Sequence, residues 1–360
     1  MKSMFFSKSF VFLIISLLLA SAHVYSQTFE TKVDSILQHK FQPDEPGGVF
    51  LVAKDGQPVY RKAFGKANVE LNVDMKPEDV FEIGSMTKQF TAIAILMLME
   101  EGKLKLDDDI TRFIPDYPTH GKTITIHQLL THTSGIKDYT HMKSIGSIAR
   151  KNLSPKELVD FFKNEPMDFE PGEKFQYDNS GYVLLGYIIE LVSGMGYEDF
   201  IEKNIFQKVG MNHSCYASDR EIIKNRAYGY QRHGDKLYNK RHISFNITYA
   251  AGSLMSTVDD LLKWQEALNH NLLVSQTTID LAFTNYTLSN GEKINYGYGW
   301  HLKTINGMPD REHGGSIFGF KSMAVYIPEK DIYVVGLTNC DCNSPTQVTR
   351  DIASLAAKYF

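Results

Sequence analysis

Three kinds of feature are scarce in this sequence, and each absence excludes something. Cysteine occurs only three times in 360 residues, at Cys215, Cys340 and Cys342. That is too few for the disulfide framework that holds small secreted folds together. Cys340 and Cys342 stand two positions apart, a spacing at which a bridge is normally strained. Structural thiols are therefore expected, with one long-range bridge left open. Charge bias is missing as well. The formal net charge is −4, which excludes the basic surface that non-specific nucleic-acid binding needs. The longest acidic run, 107–109, is short enough for a solvated turn. Metal-ligand spacing is the third absence. Among twelve histidines no His-Glu-x-x-His occurs, and His127 and His132 are five apart, so a metal hydrolase is disfavoured. No metal or cofactor is expected.

What is present suits a globular enzyme. Hydrophobic residues make up 43% of the chain and charged residues 22%. That supplies a large core with too little charge for disorder. At the N-terminus Lys2 and Lys8 precede an apolar run, 10–20, which leads into Ala20-Ser21-Ala22. This is the charged, apolar and small-residue order of a secretory signal. The run is too short for a comfortable membrane span of ~20 residues. Residues 1–22 are expected to be removed, with cleavage possibly as late as 26, and the mature chain to be periplasmic or secreted. No cysteine near the cut offers a lipid anchor.

Along the chain, 33–40 reads as a short helix. The run 48–53 is apolar at nearly every position, which predicts a strand buried on both faces. Asp55-Gly56 separates it from a second run, 59–64, and the pair reads as a hairpin. From Ser85 onward, Phe90, Ile93, Ala94, Met97 and Leu98 recur at helical spacing until Gly102. Further helices are expected at 154–163, 182–192 and 257–268, the last with Thr257 as N-cap, while 210–245 reads as irregular loop. Strands return at 298–304, 311–314, 321–327 and 333–338, before a closing helix at 348–360. The expected fold is α/β (α+β). Residues 28–360 form one catalytic domain, in which 28–103 and 248–360 build an antiparallel sheet flanked by helices. Residues 104–247 form an all-helical lobe beside it, with a cleft between the two parts.

Three pieces of sequence carry chemistry. Ser-x-x-Lys occurs twice, as Ser85/Lys88 and as Ser134/Lys137. On a helix, positions i and i+3 share a face, so Lys88 can reach the Ser85 hydroxyl. Ser85 also opens the strongly periodic helix, where its own N–H lies at the positive end and suits a developing oxyanion. Ser134 instead precedes Gly135 in a turn-like stretch with no helix after it and reads as structural. The second piece is Tyr177-Asp178-Asn179, the only Tyr-x-Asn in the chain. A phenol is a poor base unless a cation lowers its pKa, which Lys88 can supply; alternatively a buried, neutral Lys88 accepts the proton itself. Asn179 offers an amide for a substrate carbonyl. The third piece is His313-Gly314-Gly315-Ser316 at the end of an expected strand. Paired glycines permit close backbone approach. Such a strand edge suits an extended substrate, with the Ser316 N–H as a second oxyanion donor. Each piece also has a plain structural reading, as a helix cap, a packed tyrosine and a glycine-rich turn.

Together, in this order and spread, the three pieces resemble the penicillin-binding protein and class C β-lactamase superfamily. Leu129-Leu130-Thr131-His132-Thr133-Ser134-Gly135-Ile136 and Ala251-Gly252-Ser253-Leu254-Met255-Ser256-Thr257-Val258 also look like segments of that family. The resemblance covers about 40 to 345. It implies a sheet with a helical lobe, no metal, and acyl-enzyme chemistry at Ser85, with Lys88 and Tyr177 handling the proton and Tyr177 the principal base. Many antibiotic-hydrolysing members carry Lys where this chain has His313. Members with His there look more like D-amino-acid peptidases, carboxypeptidases or esterases acting on small molecules or short peptides. A class C-like β-lactamase and a sensor that is acylated without turnover are the alternatives.

Overall fold

The apolar run at 48–53 lies at the heart of the main sheet. The structure, a computed structural model, describes residues 28–360; the export signal expected at 1–22 lies outside the described residues. Strands β1 (Gly48–Lys54) and β2 (Gln57–Phe64) join β3 (His301–Ile305), β4 (Met308–Ile317), β5 (Phe320–Ile327) and β6 (Ile332–Thr338). Their order across the sheet is β3-β4-β5-β6-β1-β2, antiparallel throughout. N- and C-terminal strands thus form one antiparallel sheet, as the strand pattern implies. At the β1–β2 turn Asp55 and Gly56 take φ of 51° and 70°; at the β3–β4 turn Asn306 and Gly307 take 52° and 84°. Two successive positive φ values match the right-handed twist of the flanking strands, which is why Asp-Gly and Asn-Gly serve there.

Alternation along β1 explains its unbroken apolarity. Val49, Leu51 and Ala53 face the larger core shared with the helices. Phe50 and Val52 face the opposite side, under α1 (Phe29–Lys40) and the C-terminal helix Thr346–Tyr359. With both faces covered, neither register of side chains can be polar. On the larger core side, helix α2 (Thr87–Glu100) is buried at every position from Thr87 to Leu98. The same side holds α3 (Pro155–Phe162), α4 (Asn179–Ser193), α5 (Phe245–Gly252) and α6 (Val258–Asn269), the last packed directly on β1 and β6. Ser154 and Glu157 form a reciprocal capping box on α3, and the Thr257 side chain accepts the Asp260 N–H at the start of α6. Helix α4 begins before the expected 182 because the Asp178 carboxylate accepts the N–H groups of Ser180 and Gly181. Among the described residues no helix is long and apolar enough to cross a membrane.

Two expectations need correction. The stretch 210–245 is not all irregular. Cys215–Tyr216 pairs with Leu254–Ser256, which pairs with Phe81–Glu82, and Tyr230–His233 forms a hairpin with Lys236–Asn239. Strands of two to four residues are too short to display an alternation. The thiol expectation also fails at one place. Cys340 and Cys342 are joined by a disulfide, because the turn after β6 brings their Cα atoms to 5.1 Å, within bridging range. Cys215 remains a half-buried thiol whose pKa burial pushes up to about 12, so it is an unreactive one.

Candidate active site

The nucleophile candidate stands where a turn becomes a helix. Gly84–Met86 is a single 3-10 turn that runs directly into α2, so Ser85 occupies the end of the helix to which backbone N–H groups point. Gly84 takes φ of 53°, and a Cβ there would lie 2.8 Å from the Ser316 backbone nitrogen. A Cβ on Gly315 would lie 1.9 Å from the Ile83 carbonyl oxygen. Strand β4 therefore packs backbone to backbone on the serine turn, and the glycines at 84 and 315 are what allow it. The Ser322 hydroxyl donates to the same Ile83 carbonyl at 2.8 Å and fastens β5 to that turn as well. Gly314, Gly315 and Ser316 lie inside β4 rather than beyond its end, since the strand runs three residues past 314. Ser85 and Ser316 both line a cavity of about 220 Å³, which Tyr177, Asn179, Tyr139 and Thr140 also line.

Lys88, one helical turn from Ser85, is wholly buried. Its Nζ lies 3.2 Å from the Ser85 Oγ, 2.8 Å from the Asn179 Oδ1 and 2.9 Å from the Ala251 carbonyl oxygen. Burial pushes the amine down from its ordinary value to about 7, against the pull of Asp138 and Asp178. The Ala251 carbonyl reaches Lys88 through a kink in α5, where Tyr249 takes φ of 37° and ψ of −132°. The neighbouring Ala250 carbonyl accepts from the Thr91 hydroxyl at 2.7 Å. A non-glycine residue held in this region costs about 1–3 kcal/mol, a strain typical of functional sites.

Tyr177 leans over the same amine, with Lys88 Nζ 4.8 Å from its ring centre. Its hydroxyl is buried beside the Ser85 hydroxyl, in the wall of the cavity. Burial holds this phenol well above its ordinary pKa; the Ser85 hydroxyl is the one neighbour that favours the phenolate, and Asp138 and Asp178 oppose it. Asn179 lines the cavity and also holds the amine. Its Oδ1 accepts from Lys88, and its Nδ2 donates to the Asp138 carboxylate at 3.0 Å and to the Thr140 hydroxyl at 3.3 Å. The amide thus anchors the lysine, and a substrate carbonyl would have to take the place of the exposed Thr140 contact. Asp138 and Thr140 were not singled out in the sequence; a buried Asp one residue after the second Ser-x-x-Lys was the available signal. That second motif is structural, as expected: Lys137 pairs with Asp168 at 2.6 Å, and the Ser134 hydroxyl accepts the Ile136 N–H.

His313 departs from its expected place. It is 2% exposed and does not reach the cavity. The Asp178 N–H approaches the His132 Nδ1 at 3.1 Å, the His132 Nε2 lies 3.3 Å from the Tyr296 hydroxyl, and that hydroxyl lies 3.1 Å from the His313 Nε2. The His313 Nδ1 lies 2.6 Å from the Gly314 carbonyl. A backbone N–H can only donate and a carbonyl can only accept, so the proton positions follow. His132 donates from Nε2 to Tyr296, Tyr296 donates to the His313 Nε2, and His313 donates from Nδ1 to Gly314. Both rings are neutral, in keeping with burial that pushes their pKa values well below the ordinary range. His132 and Tyr296 were missed because their contacts span 164 positions. The chain ties the tyrosine loop to the glycine strand behind the cavity. Changing His313→Lys would put an ammonium where a buried neutral ring accepts at one nitrogen and donates from the other. It should lower unfolding free energy by about 3 kcal/mol, measurable as a lower urea midpoint at unchanged slope.

Comparison with known proteins agrees with this geometry. The sequence profile of the Beta-lactamase family matches residues 27–358. The chain belongs to that family. It is 34% identical over 296 residues to penicillin-binding protein 4* of Bacillus subtilis, covering 77% of this chain and 64% of that protein. It is 30% identical over 321 residues to protein flp of Staphylococcus aureus, covering 86% and 63%. The chain thus spans a little under two thirds of the length of these curated relatives. The octameric penicillin-binding protein homologue from Pyrococcus abyssi superimposes with a TM-score of 0.81 at 34% identity, over 91% of this chain and 77% of that one. The shared β-lactamase fold is the sheet with flanking helices described above.

Proposed function

We propose that this member of the β-lactamase family is an exported serine hydrolase that forms an acyl-enzyme on Ser85. Its substrates are small amides or esters of the D-amino-acid peptide or short-ester class, and residues 28–360 work as one catalytic unit. Export rests on the charged, apolar and small-residue order of the N-terminus. Hydrolysis rests on one observation above others: a buried amine whose pKa is pushed to about 7 lies 3.2 Å from the Ser85 hydroxyl.

A neutral amine has two N–H donors and one lone pair. The Asn179 and Ala251 oxygens, at 2.8 and 2.9 Å, take the two donors. The lone pair is left for the Ser85 O–H. This favours Lys88 over Tyr177 as the group that first takes the proton, the reverse of the expected order, because burial raises the phenol and lowers the amine. The Ser85 Oγ bonds to the substrate carbonyl carbon as its proton passes to Lys88. The N–H groups of Ser85 and Ser316 hold the oxyanion. Tyr177 gives its proton to the leaving nitrogen or oxygen as the bond to carbon breaks, and Lys88 returns a proton to the phenolate. Water then releases the acyl group by the same steps in reverse. The neutral, buried His313 offers no standing charge for a substrate carboxylate, which speaks against a dedicated antibiotic hydrolase.

Intact-mass spectrometry with an activated ester and a penicillin tests the reading. The unmodified protein should gain the acyl mass and lose it again with release of product. Ser85→Ala should gain none, and an adduct on that variant would sink the assignment. An adduct that never turns over would make the protein a sensor.

A further inference from the structure

The cavity at Ser85 does not end at Ser316. It continues into a groove of about 680 Å³, and Tyr139, Thr140, Thr248, Ser316 and Ile317 line both. The groove carries Arg150, Arg241 and Lys321, and none of the three has a salt-bridge partner among the described residues. One carboxylate lies there, Asp341, and it accepts from Gln231 at 2.8 Å. Lys321 is half-buried and fixed: it is the cross-strand partner of Ser316, and its Nζ donates to the Ser316 Oγ at 2.7 Å. A cation is therefore pinned one side chain away from the proposed oxyanion site, and two more extend the positive field outward. Arg150 and Arg241 are exposed, so the field they add is open to screening by salt.

Which half of a substrate meets this field follows from the placement of Tyr177. Tyr177 lines the inner cavity and not the groove. The leaving group must stand beside Tyr177 to receive its proton, so the groove beyond Ser316 takes the half that stays on Ser85. We propose that the groove is an anion subsite for the acyl half, and that the preferred substrates carry a carboxylate there, held by Lys321 with Arg241 and Arg150 behind it. This rests on the hydrolase reading and deepens it. The charge that His313 does not supply is provided on the neighbouring strand, for the other half of the substrate.

The test uses two substrates with one leaving group, whose acyl halves end in a carboxylate or in the matching carboxamide. The quantity read is the ratio of their kcat/KM values. The unmodified protein should favour the carboxylate by about tenfold, the scale of one charge-assisted hydrogen bond. The ratio should fall with added salt. Lys321→Met should bring it close to one, Lys321→Glu should invert it, and Arg241→Met with Arg150→Met should lower it by a smaller factor. Turnover of both substrates at a ratio near one by the unmodified protein would overturn the subsite and leave the hydrolase reading standing. A ratio that Lys321→Met leaves intact would overturn the role of the lysine. If neither substrate acylates Ser85, the hydrolase reading falls and the subsite with it.

Discussion

Lys88→Met should lower kcat/KM by about 1000-fold, the scale of removing a positioned acid–base group. Methionine fills much the same volume but has no lone pair basic enough to take the Ser85 proton. The pH profile carries the sharper information. If neutral Lys88 is the working form, kcat/KM of the unmodified protein rises as pH passes through about 7, the value to which burial brings the amine. In Lys88→Met that limb should be absent from the residual rate. Stability should follow the same titration. The amine is pushed below its ordinary value of 10.5, so between about 7 and that value the unfolded chain binds the extra proton. Unfolding free energy therefore rises with pH across this window in the unmodified protein. The variant should lack that part of the rise, measured by denaturant titration at several pH values.

Tyr177→Phe should lower kcat by about 100- to 1000-fold and change the stability of the fold little. The hydroxyl it removes lies beside the Ser85 hydroxyl in the cavity wall. Phenylalanine keeps the ring and its packing, so unfolding free energy should change by less than about 1 kcal/mol. Loss of turnover at nearly unchanged stability separates a proton-handling role from a packing role. Steady-state kinetics and thermal unfolding on one preparation read both. A variant that kept full turnover would remove Tyr177 from the mechanism.

The legible parts of this protein were those whose signal is local. The β1–β2 hairpin was readable because Asp-Gly sits between two apolar runs, and α6 because Thr257 precedes an acidic first turn. Ser85 and Lys88 were readable because helical spacing alone puts positions three apart on one face. The hairpin at 230–239 was illegible because four-residue strands carry no period. The Cys340–Cys342 bridge was misjudged because spacing in sequence says little about how tightly a turn folds back.

Sequence determined the catalytic vocabulary: a serine at a helix start, a lysine one turn on, a single Tyr-x-Asn and a glycine-paired strand. Local chemistry restricts what such pieces can become. Only the tertiary structure decided their state of charge and their direction. Asn179 became an anchor for Lys88 as well as part of the cavity wall, because Asp138 and Thr140 hold its amide in place. His313 turned from the cleft because Tyr296 and the Gly314 carbonyl hold both its nitrogens. The proton moved from phenol to amine as the expected acceptor because both are buried, and burial favours the neutral form of each. Burial and long-range pairing depend on what the distant parts of the chain bring near, and that is not written at any one position.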